Sequence, residues 1–266
     1  MKHYWYGFSG IVKRELLRFW HQKSRLFGAL VRPLLWLVVF AAGFQAALGI
    51  AIIPPYQTYI TYEVYIVPGL TGIIMLFNGM QSSLSMVYDR EMGSMKVLLT
   101  SPLPRPFLLL SKLVSGVIIS LIQVYVFYLI AWLLGIEAPL IGYLYALPAL
   151  MISALMLGSL GLFLSSFIKQ LENFAGVMNF VVFPMFFLSS ALYPLWKLRE
   201  SNEVLYWISL YNPFTHAVEL VRFAMYESWN TQALSVTVIT SIVFCSLAIW
   251  GYDPRRGMRS SGKPKM

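Results

Sequence analysis

Charge is scarce in this sequence, and acidic charge most of all. The 266 residues include 11 Asp and Glu against 20 Lys and Arg, and charged residues make up only 12% of the chain, where soluble domains carry roughly 25%. With 58% hydrophobic residues and a mean hydropathy of +0.68, a water-soluble domain is excluded. The net charge of +9 sits in the gaps between apolar runs, where lipid headgroups and topology account for it. Nucleic acid is therefore not an expected partner.

Cysteine is limited to Cys245, inside the last apolar run. No internal disulfide and no metal-spaced cysteine set is possible, and the thiol reads as a small packing residue. There is no His-Glu-x-x-His zinc helix. A nucleophile turn is also missing, because Leu157-Gly158-Ser159-Leu160-Gly161 has the wrong spacing; Ala154, Gly158, Gly161 and Ser165 read instead as small residues that let helices approach closely. The stretch from Gly257 to Gly262-Lys263 has phosphate-loop spacing, but Pro264 stands where a Ser or Thr would hold magnesium, and no strand precedes it. The chain is expected to bind no ATP by itself.

The apolar runs also lack ionisable residues near their centres. Proton relays, ion sites and intramembrane catalytic bases need such groups despite a cost of roughly 3 kcal/mol or more. The polar residues there are Gln45, Asn78, Gln81, Gln123 and Asn179, read as interhelical hydrogen-bonding groups worth roughly 1 kcal/mol each. Two competing classes, a polytopic membrane enzyme and an ion-coupled secondary transporter, are weakened by this.

What is present is a succession of runs long enough to cross a hydrocarbon core, which takes about 20 helical residues. The fold class is an all-α polytopic membrane protein, one domain with six expected spans, at about 33–53, 64–87, 113–136, 139–168, 173–196 and 228–252. Arg32 is a basic anchor at the start of the first, and the long polar stretch before it marks a retained span rather than a signal peptide. Ahead of the spans, residues 8–27 place Phe8, Ile11, Val12, Leu16, Phe19 and Trp20 at helical spacing, with Lys13, Arg14, Arg18, His21 and Lys23 on much of the remaining surface. That pattern predicts an amphipathic helix lying along the membrane surface. Residues 197–227, too apolar for an ordinary loop, are broken at Asn212-Pro213 and predict two half-helices dipping into the outer leaflet.

Orientation follows from the basic residues. With both termini cytoplasmic, Lys13, Arg14, Arg90, Lys96, Arg105, Lys112, Lys169 and the basic tail fall inside, while only Lys197, Arg199 and Arg222 fall outside. This is the solution that the positive-inside rule requires. Glu219 and Arg222, at i and i+3, are expected to pair.

The richest stretch lies between spans two and three: Asp89-Arg90-Glu91-x-Gly93-Ser94-x-Lys96-x-Leu98-Leu99-x-Ser101-Pro102-Leu103-Pro104. Asp89 is placed to cap a short helix at about 89–101, acids in its first turn and Lys96 near its end suit the helix dipole, and the prolines stop it. Met92, Met95, Val97, Leu98 and Leu99 give that helix an apolar surface too large to bury in a loop, as a helix docking in a partner's groove requires.

This run resembles the cytoplasmic signature of type-2 ABC exporter permeases, the class that includes drug, lipo-oligosaccharide and polysaccharide exporters. Ile66-Val67-Pro68-Gly69-Leu70, Phe187-Leu188-Ser189-Ser190-Ala191-Leu192-Tyr193-Pro194 and Asn212-Pro213-Phe214-Thr215-His216-Ala217-Val218-Glu219-Leu220-Val221-Arg222 extend the resemblance across nearly the whole chain, in order. It implies that 89–101 is a coupling helix seated in a separate ATPase subunit, with Asp89, Arg90, Glu91, Gly93, Lys96, Leu98 and Leu99 as contacts. It further implies that 8–27, with Lys13, Arg14, Arg18 and Trp20, is a connecting helix on the same subunit. Residues 197–227, with Asn212, Pro213, His216, Glu219 and Arg222, correspond to re-entrant external helices.

The implied assembly is two permeases and two ATPases in a bacterial cytoplasmic membrane, with ATP and magnesium held by the ATPase and no cofactor or metal in this chain. The implied activity is export of an amphipathic, lipid-linked or drug-like cargo. Lys96 departs from the Glu that many members carry there, and the Glu-Ala-Ala loop of importers is absent, which favours export.

Overall fold

The computed structural model describes residues 2–21, 23–44, 54–56, 60–92, 103–136, 138–168 and 170–251. Eleven helices are described and no strand is found among these residues: α1 Lys2–His21, α2 Lys23–Phe44, α3 Tyr62–Glu91, α4 Arg105–Leu133, α5 Leu140–Tyr145, α6 Leu147–Phe167, α7 Leu171–Phe187, α8 Leu195–Ser201, α9 Glu203–Tyr211, α10 Pro213–Met225 and α11 Thr231–Gly251. The all-helical class is as the composition requires.

Four described segments are long and apolar enough to cross a membrane: Tyr62–Glu91, Arg105–Leu133, Leu140–Phe167 and Thr231–Gly251. Two of the six expected spans stand differently. The fifth, 173–196, is a helix only to Phe187, 17 residues long, short of the roughly 20 that a crossing takes; the chain then turns through 188–194. The first is described only as far as Phe44, so 45–53 lies outside the described residues. The amphipathic helix also differs from its expected 8–27 bounds, since α1 starts at Lys2 and Lys23 already belongs to α2. Arg32 consequently lies inside α2 rather than at its start. Its guanidinium sits 4.6 Å from the Phe77 ring centroid, midway along α3, where an aromatic face stabilises the charge.

Proline explains two further differences. Pro104 and Pro106 do not merely stop what comes before. They open α4 at Arg105, ahead of the expected 113, because a missing N–H is harmless in a first helical turn. Pro148 does the same for α6, so the expected fourth span is two consecutive helices meeting at Ala146.

The core is built around α3, which packs against α2, α4, α6, α7 and α10. Its contact with α6 is backbone to backbone. A Cβ on Gly79 would lie 2.9 Å from Gly158 Cα and from the Leu157 carbonyl oxygen, so only glycine at this crossing permits the approach. Across the α3–α4 contact, Asn78 donates through Nδ2 to Gln123 Oε1, a pairing of two of the mid-span amides. Asn179, by contrast, is exposed on α7.

Candidate functional site

Five charged side chains converge where α1, the end of α3 and the start of α4 meet. Lys112 Nζ lies 3.1 Å from Asp89 Oδ2 and 4.0 Å from Glu15 Oε1, Arg18 Nη2 lies 3.4 Å from Asp89 Oδ1, and Arg14 Nη2 lies 2.9 Å from Glu15 Oε1. Glu15, Asp89 and Lys112 are all buried, with 6%, 6% and 5% of their surface exposed. Charges taken this far from water persist only when paired on several sides, and here each carboxylate meets two cations.

Asp89 therefore does not cap a short helix, as its sequence context predicts. It lies in the last turn of α3, held there by Lys112 and Arg18. Around the ionic cluster, α1 also touches the return of the chain from the other side: the Tyr4 and Phe107 rings meet edge to face at 5.3 Å, and Gly7 lies beneath the Leu103 side chain. Helix α1 thus grips both flanks of the segment 93–102.

Of the expected coupling residues, Arg90 is half-buried and Glu91 exposed at the end of α3. Gly93, Lys96, Leu98 and Leu99 lie outside the described residues. Lys13 and Trp20 of α1 are exposed, and neither joins the cluster. Glu15 was not among the expected site residues, and Lys112 figured only in the topology. A signal for Glu15 existed, since it is the sole Asp or Glu before Glu63, set within a basic helix.

The residues expected in the external hairpin gather at the other end of α3. Where two half-helices are expected, the structure has three helices. Besides the break at Asn212-Pro213, Asn202 ends α8 and caps α9, its side chain accepting from Val204 and Leu205 N–H groups. Asn212 caps α10 by accepting from the Phe214 N–H at 3.0 Å, while its Nδ2 donates to the carbonyls of Met185 and Leu188 at 2.7 and 2.6 Å. One side chain thereby fixes α10 to the end of α7.

Arg222 is 1% exposed. It pairs with Glu219, donates to the Ser190 carbonyl at 2.9 Å and lies 4.1 Å from the Tyr65 ring centroid. Tyr65 donates to the same Ser190 carbonyl at 2.8 Å. His216 Nε2 lies 3.0 Å from the Leu210 carbonyl oxygen, and burial pushes its imidazole below the ordinary histidine range despite that contact. A cavity of about 240 Å³ opens beside Tyr65, Trp196, His216, Glu219 and Arg222.

The profile of the family described as ABC-2 type transporter matches residues 6–226, which takes in both clusters. The chain belongs to the ABC-2 type transporter family. Among its relatives, ycf38 of Pyropia yezoensis, named as a transport permease, is 31% identical over 227 residues, covering 84% of this chain and 75% of the relative. The protein of the same name from Cyanophora paradoxa is 28% identical over 228 residues, 82% of this chain and 74% of the relative. YbhR of Escherichia coli K12, named as a multidrug ABC transporter permease, is 29% identical over 173 residues, 63% of this chain and 45% of the relative. As an ABC-2 permease, the protein is a membrane-embedded transport subunit, and its family implies an ABC ATPase as partner.

Proposed function

We propose that this ABC-2 permease is the membrane subunit of an exporter whose ATP and magnesium are bound by a separate ATPase, and that it receives mechanical work through residues 89–101. The observation that carries this reading is the ionic cluster of Glu15, Arg18, Asp89 and Lys112. It fastens α1 to both flanks of 93–102, so a displacement of that segment is passed to α1, α3 and α4 together. A loop serving topology alone needs no buried charges at its two ends.

The cargo is amphipathic, lipid-linked or drug-like and leaves the cytoplasm or inner leaflet, across a chain of six crossings with both termini on the cytoplasmic side of a bacterial inner membrane. The short α7 and the turn at 188–194 carry the fifth crossing to the outer surface, and α8 to α10 form a re-entrant cap there.

A second copy of the permease completes the path. The surface of α7 supports this: Asn173, Gly176, Asn179, Phe180 and Phe183 lie exposed along one face, and among the described residues nothing beyond the adjoining backbone of α7 and Gly176's chain neighbours comes within 4 Å of where a Gly176 Cβ would be. An amide and a glycine at this depth suit a helix–helix contact better than lipid.

The test is co-purification with the ATPase. Leu98→Asp combined with Leu99→Asp is expected to abolish the association while the permease still inserts; unchanged co-purification overturns the coupling assignment.

A further inference from the structure

A cavity of about 470 Å³ runs along α1, lined by Trp5, Phe8, Lys13, Leu16 and Trp20 of that helix and by Ile122 of α4. Its volume lies within the range of small-molecule sites, roughly 300–1,000 Å³, yet its walls are apolar except for Lys13 and Ser9. Two features say what fills it.

The first is a track. Beyond Ile122, the exposed side chains on α4 continue as Val126 and Leu129 at i+4 and i+7, with 44%, 37% and 56% of their surface exposed. Residues at this spacing lie one above another on a helix face, so the cavity prolongs into an apolar strip along a helix apolar enough to cross the membrane. Along a membrane span, acyl chains are what meets such a strip. The second is charge. On α1 the acidic Glu15 is buried and paired, and Arg14 and Arg18 are engaged with Glu15 and Asp89. Lys13 is exposed, and no ion pair to it is found among the described residues.

We infer that the groove between α1 and α4 binds an anionic phospholipid, its phosphate on Lys13 and one acyl chain running from Trp5, Phe8, Leu16 and Trp20 up Ile122, Val126 and Leu129. Lysine near a headgroup layer attracts anionic lipid, and amphipathic helices with tryptophan on the apolar face sit at that depth. The site rests on the interfacial placement of α1 and not on the direction of transport or the identity of the cargo.

The test is tryptophan quenching in the full-length permease, reconstituted in phosphatidylcholine vesicles with brominated phosphatidylglycerol as a minor component, or with brominated phosphatidylcholine at the same mole fraction. The share of emission from Trp5 and Trp20 is isolated by comparison with Trp5→Phe combined with Trp20→Phe. Brominated phosphatidylglycerol is expected to quench that share roughly fivefold beyond its mole fraction, the factor that about one basic residue supplies at an anionic surface. Lys13→Gln is expected to remove the excess and Lys13→Arg to retain it.

Equal quenching by the two lipids, or an excess that survives Lys13→Gln, overturns the site. Where the tryptophan pair variant does not fold, native mass spectrometry of the wild-type and Lys13→Gln permeases decides instead, the retained phosphatidylglycerol being expected to fall in the variant. Unchanged ATPase co-purification in the coupling-segment variant, with the Lys13-dependent quenching excess intact, is failure of the functional reading alone; lost co-purification with no quenching excess is failure of this one alone.

Discussion

Asp89 and Lys112 face each other at 3.1 Å across the two ends of the segment 93–102, both buried, one in the last turn of α3 and the other about two turns into α4. A charge pair in this position closes the segment at its base, and α1 adds Glu15 and Arg18 to the same knot.

Removing Lys112 leaves Asp89 and Glu15 buried, each with a single partly exposed arginine in place of two cations. Lys112→Met is expected to destabilise the folded permease by about 3 kcal/mol or more, since truncating one side of a buried pair strands its partner. Thermal unfolding in detergent reads this. Arg18→Ala, whose side chain is 30% exposed and 3.4 Å from Asp89, is expected to cost about 1 kcal/mol or less after solvent screening. A melting temperature unchanged by Lys112→Met contradicts the account.

The α3–α6 crossing gives a packing prediction. Gly79→Ala places a Cβ against backbone that has no flexible end to move, and overpacking of this kind costs about 1–3 kcal/mol. Gly10→Ala, facing open space on α1, is expected to leave the melting temperature unchanged or slightly raised, and serves as the control.

At the Arg222 cluster, Arg222→Ala strands Glu219 and leaves the Ser190 carbonyl with one donor fewer, and is expected to destabilise by about 3 kcal/mol. Arg222→Lys is expected to recover only part of this, because a single ammonium does not reproduce the planar group that stacks on Tyr65 while bonding in two directions. The same unfolding measurement compares the two variants.

For the second copy, Gly176→Leu is expected to weaken disulfide cross-linking between permeases carrying Asn179→Cys in a Cys245→Ala background, while leaving monomer stability intact because the position is open within one chain. Efficient cross-linking despite Gly176→Leu places the contact on another face.

Much of the fold was written in local pattern. Run length marked out the helices, Asn212-Pro213 marked the boundary between α9 and α10 because a cap and a first-turn proline are local signals, and Glu219 found Arg222 at helical spacing. The ionic cluster was not legible in this way. Glu15, Asp89 and Lys112 come from three separate helices, and nothing local to any one of them names the others. Pro148 was hidden because the apolar run continues past it on both sides, and Asn202 because it lies in the polar stretch Arg199-Glu200-Ser201-Asn202-Glu203, where no apolar pattern marks one helix off from the next. Asp89 suited a helix start by composition, and the buried cation two turns into α4 overrode that preference.

Helix α3 spans 30 residues, about 45 Å at 1.5 Å per residue, and it is fastened at both tips: Asp89 to Lys112 at one, Tyr65 to the Ser190 carbonyl at the other. Its one proline, Pro68, sits one turn from Tyr65. From Gly69 to Glu91 no proline interrupts the helix, so under the coupling proposed above a tilt imposed at Asp89 is taken up as a swivel at the end held by Tyr65 and Arg222.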